Sequence, residues 1–259
     1  MIFRELPAGE VREFFPKRSR YCFAPIVYNE GERFVRQMAA MAPMAHLADI
    51  VVVEKRSTDG STEPARLQAR GARALVTTDA PGGASAVRLA VAYAVDQGYD
   101  GLVLVDGHGK DGVEALPEYL RLLDEGLDFV QGSRFMAGGR HENTPLMRIL
   151  GIRFLTAPLF LARTGVRYTD PTNGFRGYSR RLLTDPSVEP LRSCFVNFNL
   201  QFYLSYKAAQ KGFKVVEIPV SRVYPPGEVP TKVKGLSRNF LVLWEMVSTL
   251  LGRYDPPRS

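Results

Sequence analysis

The sequence predicts an α/β protein: a doubly wound, mostly parallel sheet flanked by helices. Three observations carry that reading. Short apolar runs alternate with longer amphipathic segments from residue 21 to residue 130. The runs stop abruptly in polar, glycine-bearing turns. A chain of 259 residues, 45% of them hydrophobic, can bury one large core.

Residues 1–20 are polar and mixed and read as an N-terminal arm, with Phe14 and Phe15 positioned to dock it. The first strand is expected over 22–27, with Pro25 near its edge or end because proline cannot donate to a ladder. Tyr28-Asn29-Glu30-Gly31 then turns into a helix over 31–46, which Asn29 is placed to cap. Strands follow over 48–53 and 72–77, separated by a helix over 62–70. Gly82-Gly83 opens an alanine-rich helix over 84–96, where bare backbone N–H groups are able to approach a phosphate. The strand over 102–105 ends at Asp106, followed by Gly107-His108-Gly109-Lys110-Asp111. Parallel sheets place binding chemistry just past the carboxyl ends of their strands. Asp106 with His108 and Asp111 is therefore a candidate metal–phosphate site, set against the plainer reading of a solvated polar turn.

A helix over 113–125 and a strand over 128–132 complete the alternation. Beyond Gly138 an apolar-basic helical region begins at Pro145 and is expected to bend at Pro158. It reads either as a helix covering the sheet or as a face for a membrane or lipid. Later come a polar stretch over 168–178, a helix over 197–210, a strand over 213–218, a proline-rich loop over 224–230 and an amphipathic helix over 236–251.

Charge is uneven. Residues 1–130 carry 15 basic and 19 acidic side chains, a net of −4, whereas residues 131–259 carry 19 and 8, a net of +11. A basic second half points to an anionic partner such as a nucleotide or lipid phosphate. Cys22 and Cys194 form neither a disulfide framework nor a metal motif, and both are expected to be buried thiols. With no apolar leader at Met1 and no tract long enough to span a bilayer, the expected location is cytoplasmic, with peripheral attachment to the membrane's cytoplasmic face left open. No Gly-x-Gly-x-x-Gly follows the first strand and no Walker A pattern occurs.

The order of motifs resembles the family 2 glycosyltransferases of GT-A fold, and within them the dolichyl- or polyprenyl-phosphate sugar synthases, over residues 21–235. The elements that carry it are Pro25-Ile-Val-Tyr28-Asn29-Glu30, Glu54-Lys55-Arg-Ser57-Thr-Asp59-Gly60, Gly82-Gly83, Asp106-Gly107-His108, Gln131-Gly-Ser-Arg134-Phe135 with Gly138-Gly139, Asp170-Pro-Thr-Asn-Gly-Phe-Arg176, and a tail motif of Glu217-Ile-Pro219, Arg222 and Thr231-Lys232. Two departures stand out. Glu54-Lys55 replaces an aspartate pair, and His108 replaces the second aspartate of the Asp-x-Asp metal motif.

The resemblance implies an inverting, metal-assisted hexosyl transfer from a nucleotide-sugar donor to polyprenyl phosphate or a small soluble metabolite. It implies Mn2+ or Mg2+ at Asp106, His108 and Asp111. A donor site would comprise Pro25, Tyr28, Asn29, Glu30, Glu54, Lys55, Ser57, Asp59, Gly82, Gly83, Asp106, Gly107 and Arg134. Asp106, Asp170 and Arg176 would serve catalysis, with Asp170 as the base for an alcohol acceptor, and Arg176, Arg222, Thr231 and Lys232 would meet phosphates. The catalytic unit divides into a nucleotide-sugar half over 21–135 and an acceptor half over 136–235, with 236–259 as a C-terminal helix and tail. No nucleic acid is expected as partner, and a homodimer is left open. A nucleotidyltransferase and a non-catalytic nucleotide- or glycan-binding protein remain the alternatives.

Overall fold

A computed structural model describes residues 5–225 and 236–256. Ten strands and nine α-helices are found among them. In the first half these are β1 (Glu10–Glu13), β2 (Tyr21–Val27), α1 (Glu32–Met41), β3 (Asp49–Glu54), α2 (Pro64–Ala69), β4 (Ala72–Thr77), α3 (Gly83–Asp96), β5 (Gly101–Asp106), α4 (Leu116–Asp124) and β6 (Phe129–Ser133). The second half adds β7 (Arg140–Glu142), α5 (Leu146–Gly151), α6 (Ala157–Thr164), β8 (Arg176–Ser179), α7 (Arg180–Thr184), α8 (Asn199–Gln210), β9 (Val215–Pro219), β10 (Ser221–Val223) and α9 (Leu236–Leu250).

One eight-stranded sheet runs in the order β1-β4-β3-β2-β5-β8-β6-β9. The pairs β4–β3, β3–β2, β2–β5 and β6–β9 are parallel, and β1–β4, β5–β8 and β8–β6 are antiparallel. The sheet is therefore mixed, because β8 inserts in reverse between the two parallel groups. Apolar runs such as Ile50–Val53 and Leu102–Val105 are buried on both faces, as expected for strands covered by helices on each side. On one face α3, α7 and α8 close over Val51, Val53, Leu102 and Leu104, while α1 and α4 cover the other over Val52 and Val103.

The arm over 1–20 contains an edge strand that the polar sequence did not reveal: β1 lies antiparallel on β4. Pro25 is also placed differently from expectation. It is buried within the central strand β2, and the β2–β3 register passes from Phe23↔Ile50 directly to Ile26↔Val53. The interruption falls where proline has no N–H to give. Cys22 is buried as expected, but Cys194 is exposed. Pro158 falls in the first turn of α6, and the helical region changes character just before it, through a π turn over Ile152–Thr156 that joins α5 to α6.

A small parallel ribbon, β7 with β10, stands beside the main sheet. Two antiparallel contacts tie it to the turn after β5, Gly112 N–H donating to Ser221 O at 3.0 Å and Val223 N–H to Lys110 O at 2.9 Å. The ribbon thereby carries Arg222 to the end of β5.

Arg176 at the start of β8 lies in the interior, only 1% exposed. Its guanidinium donates to Pro171 O at 2.8 Å, Asn173 O at 2.7 Å, Ser205 Oγ at 3.2 Å and Gln201 O. That corrects its expected place beside substrate phosphate: every nitrogen is engaged in fastening the 170–176 turn to α8. Arg176→Met leaves those buried carbonyls unpaired, so urea unfolding should show a loss of about 3 kcal/mol or more. A midpoint unchanged from the parent chain would contradict this bracing role.

Candidate active site

The site lies at the carboxyl end of β5, where the ladder ends and the chain turns sharply. Gln37 on α1 fixes that turn from both sides. Its Nε2 donates to Asp106 O at 2.9 Å and its Oε1 accepts from Gly109 N–H at 2.7 Å. Gln37 is 4% exposed and carries no sequence signal beyond a polar residue on an apolar helix face.

The clamped turn brings Asp106, His108 and Asp111 together, each offering a ligand atom within 4.8 Å of the others. Two carboxylates and an imidazole form a donor set suited to a divalent cation. Arg222 reaches all three. Its Nη1 donates to Asp111 Oδ1 at 2.7 Å and Oδ2 at 3.0 Å, and its Nη2 lies 3.3 Å from Asp106 Oδ2 and 2.9 Å from His108 Nε2. His108 Nε2 is also 3.0 Å from Asp106 Oδ2, and Nδ1 accepts weakly from Lys110 N–H at 3.3 Å.

Burial alone would push the Asp106 carboxyl up, but contact with His108 and the charges of Arg222 and Lys110 hold it well below the usual carboxylate range. Burial pushes His108 down, so the imidazole is neutral at pH 7. Burial also lowers Arg222, but the charges of Asp111 and Asp106 outweigh it and keep the guanidinium protonated.

Gly174 sets the floor of the cluster. A Cβ there would stand 2.7 Å from Asp106 Oδ2, so only glycine lets the 170–176 turn lie against this carboxylate. Asp170, the expected base, is fully buried beneath it. It takes Arg134 Nε at 2.6 Å and Arg134 Nη2 at 3.2 Å. The pair binds two loops together, so neither Asp170 as a base nor Arg134 as a donor contact matches this arrangement. Glu217, part of the tail motif but given no role of its own from the sequence, accepts from Thr169 N–H and Asp170 N–H at 2.7 and 3.0 Å.

The expected nucleoside residues converge between α1 and the turn after β3. Asn29, Glu30 and Asp59, with Arg33, Arg36 and Pro225, line an open cavity of about 610 Å3. Asn29 does not cap α1. Its Oδ1 instead accepts from Thr58 N–H at 2.8 Å, while Ser57 Oγ accepts from Asn29 N–H at 3.1 Å and Asp59 Oδ2 accepts from Gly31 N–H at 2.7 Å. Glu54 faces inward and accepts from Ser57 N–H at 2.6 Å. Tyr28 is exposed.

Gly82 and Gly83 have a packing role. A Cβ on Gly82 would lie 1.9 Å from Val196 O, whose carbonyl also takes the Ala84 N–H at 2.9 Å. A carbonyl thus faces the start of α3, where a phosphate was expected. Lys55 Nζ donates to Gly82 O at 2.7 Å, which joins the Glu54-Lys55 departure to this same turn. Thr231 and Lys232 lie outside the described residues.

Beside the cluster, Tyr224 is buried among cations. Lys110 Nζ sits 4.6 Å from its ring centre and Arg148 Nη1 donates to its hydroxyl at 2.7 Å. Burial would raise the phenol, but Arg222, Arg148, Lys110 and Arg134 bring it down to about 8. Burial, reinforced by Arg222, lowers Lys110 to about 8. Across roughly pH 8–10 the unfolded chain binds more protons at both groups than the folded one, so stability rises with pH there and the gain is lost as pH falls through 8. Ultraviolet titration should show one tyrosine ionising near pH 8, absent in Tyr224→Phe. A wild-type chain in which all tyrosines ionise at 10 or above would contradict this electrostatic setting.

No family model matches the chain. It is 30% identical over 229 residues to the polyprenol monophosphomannose synthase of Mycolicibacterium smegmatis, covering 84% of this chain and 83% of that protein. It is 27% identical over 199 residues to the undecaprenyl-phosphate mannosyltransferase of Micrococcus luteus, covering 76% and 80%. A crystal structure of glucosyl-3-phosphoglycerate synthase from Mycobacterium tuberculosis, in complex with Mn2+, UDP and phosphoglyceric acid, superposes with a TM-score of 0.60. Its sequence is 18% identical, with 92% of this chain and 80% of that one covered. This last likeness supports the fold, and the extent of the first fixes the family: the chain belongs to the family 2 glycosyltransferases of GT-A fold, enzymes that transfer a sugar from a nucleotide-sugar donor.

Proposed function

We propose that this glycosyltransferase moves a hexosyl group from a nucleoside-diphosphate sugar to polyprenyl phosphate at a membrane surface. One observation carries the acceptor assignment: an exposed apolar-basic helical face leads to the cation cluster beside Asp106. On α5 to α6, Leu146, Met147, Phe154, Leu155 and Leu161 are exposed, and Phe154 is 75% accessible. Residues 143–169 hold four arginines and no acid. Such a face suits an anionic interface. From the same helix, Arg148 points inward to Tyr224, next to Lys110 and Arg222. On α9, Phe240, Trp244 and neighbouring Leu251 are likewise exposed, while Met246 and Leu250 pack into the core. No described helix is long and apolar enough to cross a membrane, so the contact proposed is peripheral, at the cytoplasmic face.

Asp106, His108 and Asp111 would hold the Mn2+ or Mg2+ ion. Binding through His108 Nε2 places the ring proton on Nδ1, and the long contact from Lys110 N–H then lapses. When bound, the ion would supply Lewis-acid charge to the diphosphate leaving group. The nucleoside is assigned to the cavity lined by Asn29, Glu30 and Asp59. In transfer, an acceptor phosphate oxygen forms a bond to the anomeric carbon as the bond to the donor diphosphate breaks. The diphosphate leaves with the electron pair, and the configuration inverts. Arg222 and Lys110 stabilise the charge that develops there. A phosphate oxygen is already a nucleophile and requires no general base, which agrees with the burial of Asp170 against Arg134.

A soluble phosphorylated acceptor is the second reading. It is favoured by the fold shared with a synthase whose structure holds phosphoglyceric acid, since the same cations would serve a small anion. Flotation with phosphatidylglycerol vesicles separates the two readings. The polyprenyl reading predicts flotation of the parent chain and loss of it in Phe154→Glu combined with Trp244→Glu, with nucleoside-diphosphate binding retained. Absence of flotation by the parent chain, with transfer to a soluble phosphate ester, would establish the second reading instead.

Asp106→Ala should abolish metal-dependent binding of nucleoside diphosphate by calorimetry and lower transfer at least a hundredfold, in line with losing a ligand to a catalytic ion. Unchanged metal-dependent binding would remove Asp106 from the centre of the site.

A further inference from the structure

We propose that Arg222 competes with the divalent cation for its site, so that the ion binds most tightly when the guanidinium has transferred to the donor diphosphate. This inference rests on reading Asp106, His108 and Asp111 as the cation's ligands.

One guanidinium contacts all three groups, bridging Asp111 on one nitrogen and Asp106 with His108 on the other. The ligand atoms lie within 4.8 Å of one another. A second cation placed among them would sit against the first, at a separation where like charges repel strongly even with a generous effective dielectric. The guanidinium and the ion therefore exclude one another.

The backbone keeps Arg222 at hand. Asp111 and Arg222 form an antiparallel bridge, and the flanking bonds from Gly112 N–H to Ser221 O and from Val223 N–H to Lys110 O hold the ribbon in place. Exchange is thus a side-chain rotation about a fixed Cα. The competitor acts at the high effective concentration of a tethered group, with no loss of translational freedom.

The docked pose is itself incompletely satisfied. Arg222 Nε is buried without a hydrogen-bond partner among the described residues. His108 Nε2 lies between a carboxylate oxygen, which calls for an N–H, and an Arg222 N–H, which calls for a lone pair. A neutral imidazole answers only one of them. Movement of Arg222 onto phosphate oxygens gives Nε an acceptor and frees Nε2 for the ion. Metal and diphosphate binding are thereby coupled through one side chain: each favours the rotamer that the other requires.

The test is a Mn2+ titration of the intact chain, with free Mn2+ read by electron paramagnetic resonance, without nucleotide and then with UDP or GDP. Without nucleotide, Arg222→Met should bind Mn2+ about tenfold more tightly than the parent chain. Whichever diphosphate the parent binds should tighten its Mn2+ affinity, and that tightening should shrink severalfold in Arg222→Met. Equal or weaker nucleotide-free affinity in Arg222→Met overturns the competition. If that variant fails to fold, Arg222→Lys serves in its place. A single ammonium cannot span both carboxylates as the fork does, so affinity should again rise, and no rise overturns the proposal. Asp106→Asn distinguishes the underlying reading: if it binds Mn2+ like the parent, the ion lies elsewhere and both readings fall. If it loses Mn2+ while the Arg222 variants match the parent, only the competition falls.

Discussion

The grip of Arg222 on Asp111 and Asp106 is the interaction on which the site's arrangement depends. It joins residues more than a hundred positions apart, and it does so in the interior, with the Arg222 side chain 8% exposed and that of Asp111 fully buried. Charges so deeply withdrawn from water require close compensation, and removing one member leaves the others uncompensated. The backbone bridge between Asp111 and Arg222 brings the charges into reach, and the charges in turn hold the β7–β10 ribbon against the end of β5. Fold and electrostatics support one another at this point.

Beneath that pair lies a second polar layer that supports the site without facing it. Asp170 with Arg134, Glu217 with the Thr169 and Asp170 amides, and Arg176 with four oxygens fix a turn whose Gly174 rests on the Asp106 carboxylate. Precise placement of a reacting group requires such backing, because a carboxylate free to turn would lose its alignment with an ion or a phosphate. The residues of this turn look catalytic in the sequence, yet their hydrogen bonds are directed into the protein.

What the sequence disclosed follows from length and burial. Strands covered on both faces read as apolar runs, so β2 to β5 were legible to within one residue, and the shorter apolar starts of β6 and of the half-buried edge strand β9 placed those two to within two residues. The short polar strands β1, β7, β8 and β10 were not, since three or four residues with exposed or charged side chains give no usable period. Asp106 was legible from its position after a buried run, and His108 and Asp111 from proximity to it. Gln37 was not, because nothing in α1 reveals that one amide will clamp a turn about seventy residues away. Asp170 and Arg176 were assigned chemistry because the sequence does not display the partners that occupy them. Gly82 was read as a phosphate cradle for a similar reason: glycine marks a close approach, but the approaching group is the Val196 carbonyl.

The cation and the donor diphosphate are proposed to meet at the end of β5, with Arg222 yielding its place to the ion. The most direct measurement is a crystal structure grown with Mn2+ and a nucleoside diphosphate, using manganese anomalous scattering to locate the metal. The expected result is an anomalous peak bound to Asp106 Oδ, with the Arg222 guanidinium moved off Asp111 onto the diphosphate. A peak away from Asp106, or one at Asp106 with Arg222 still bridging both carboxylates, would contradict it.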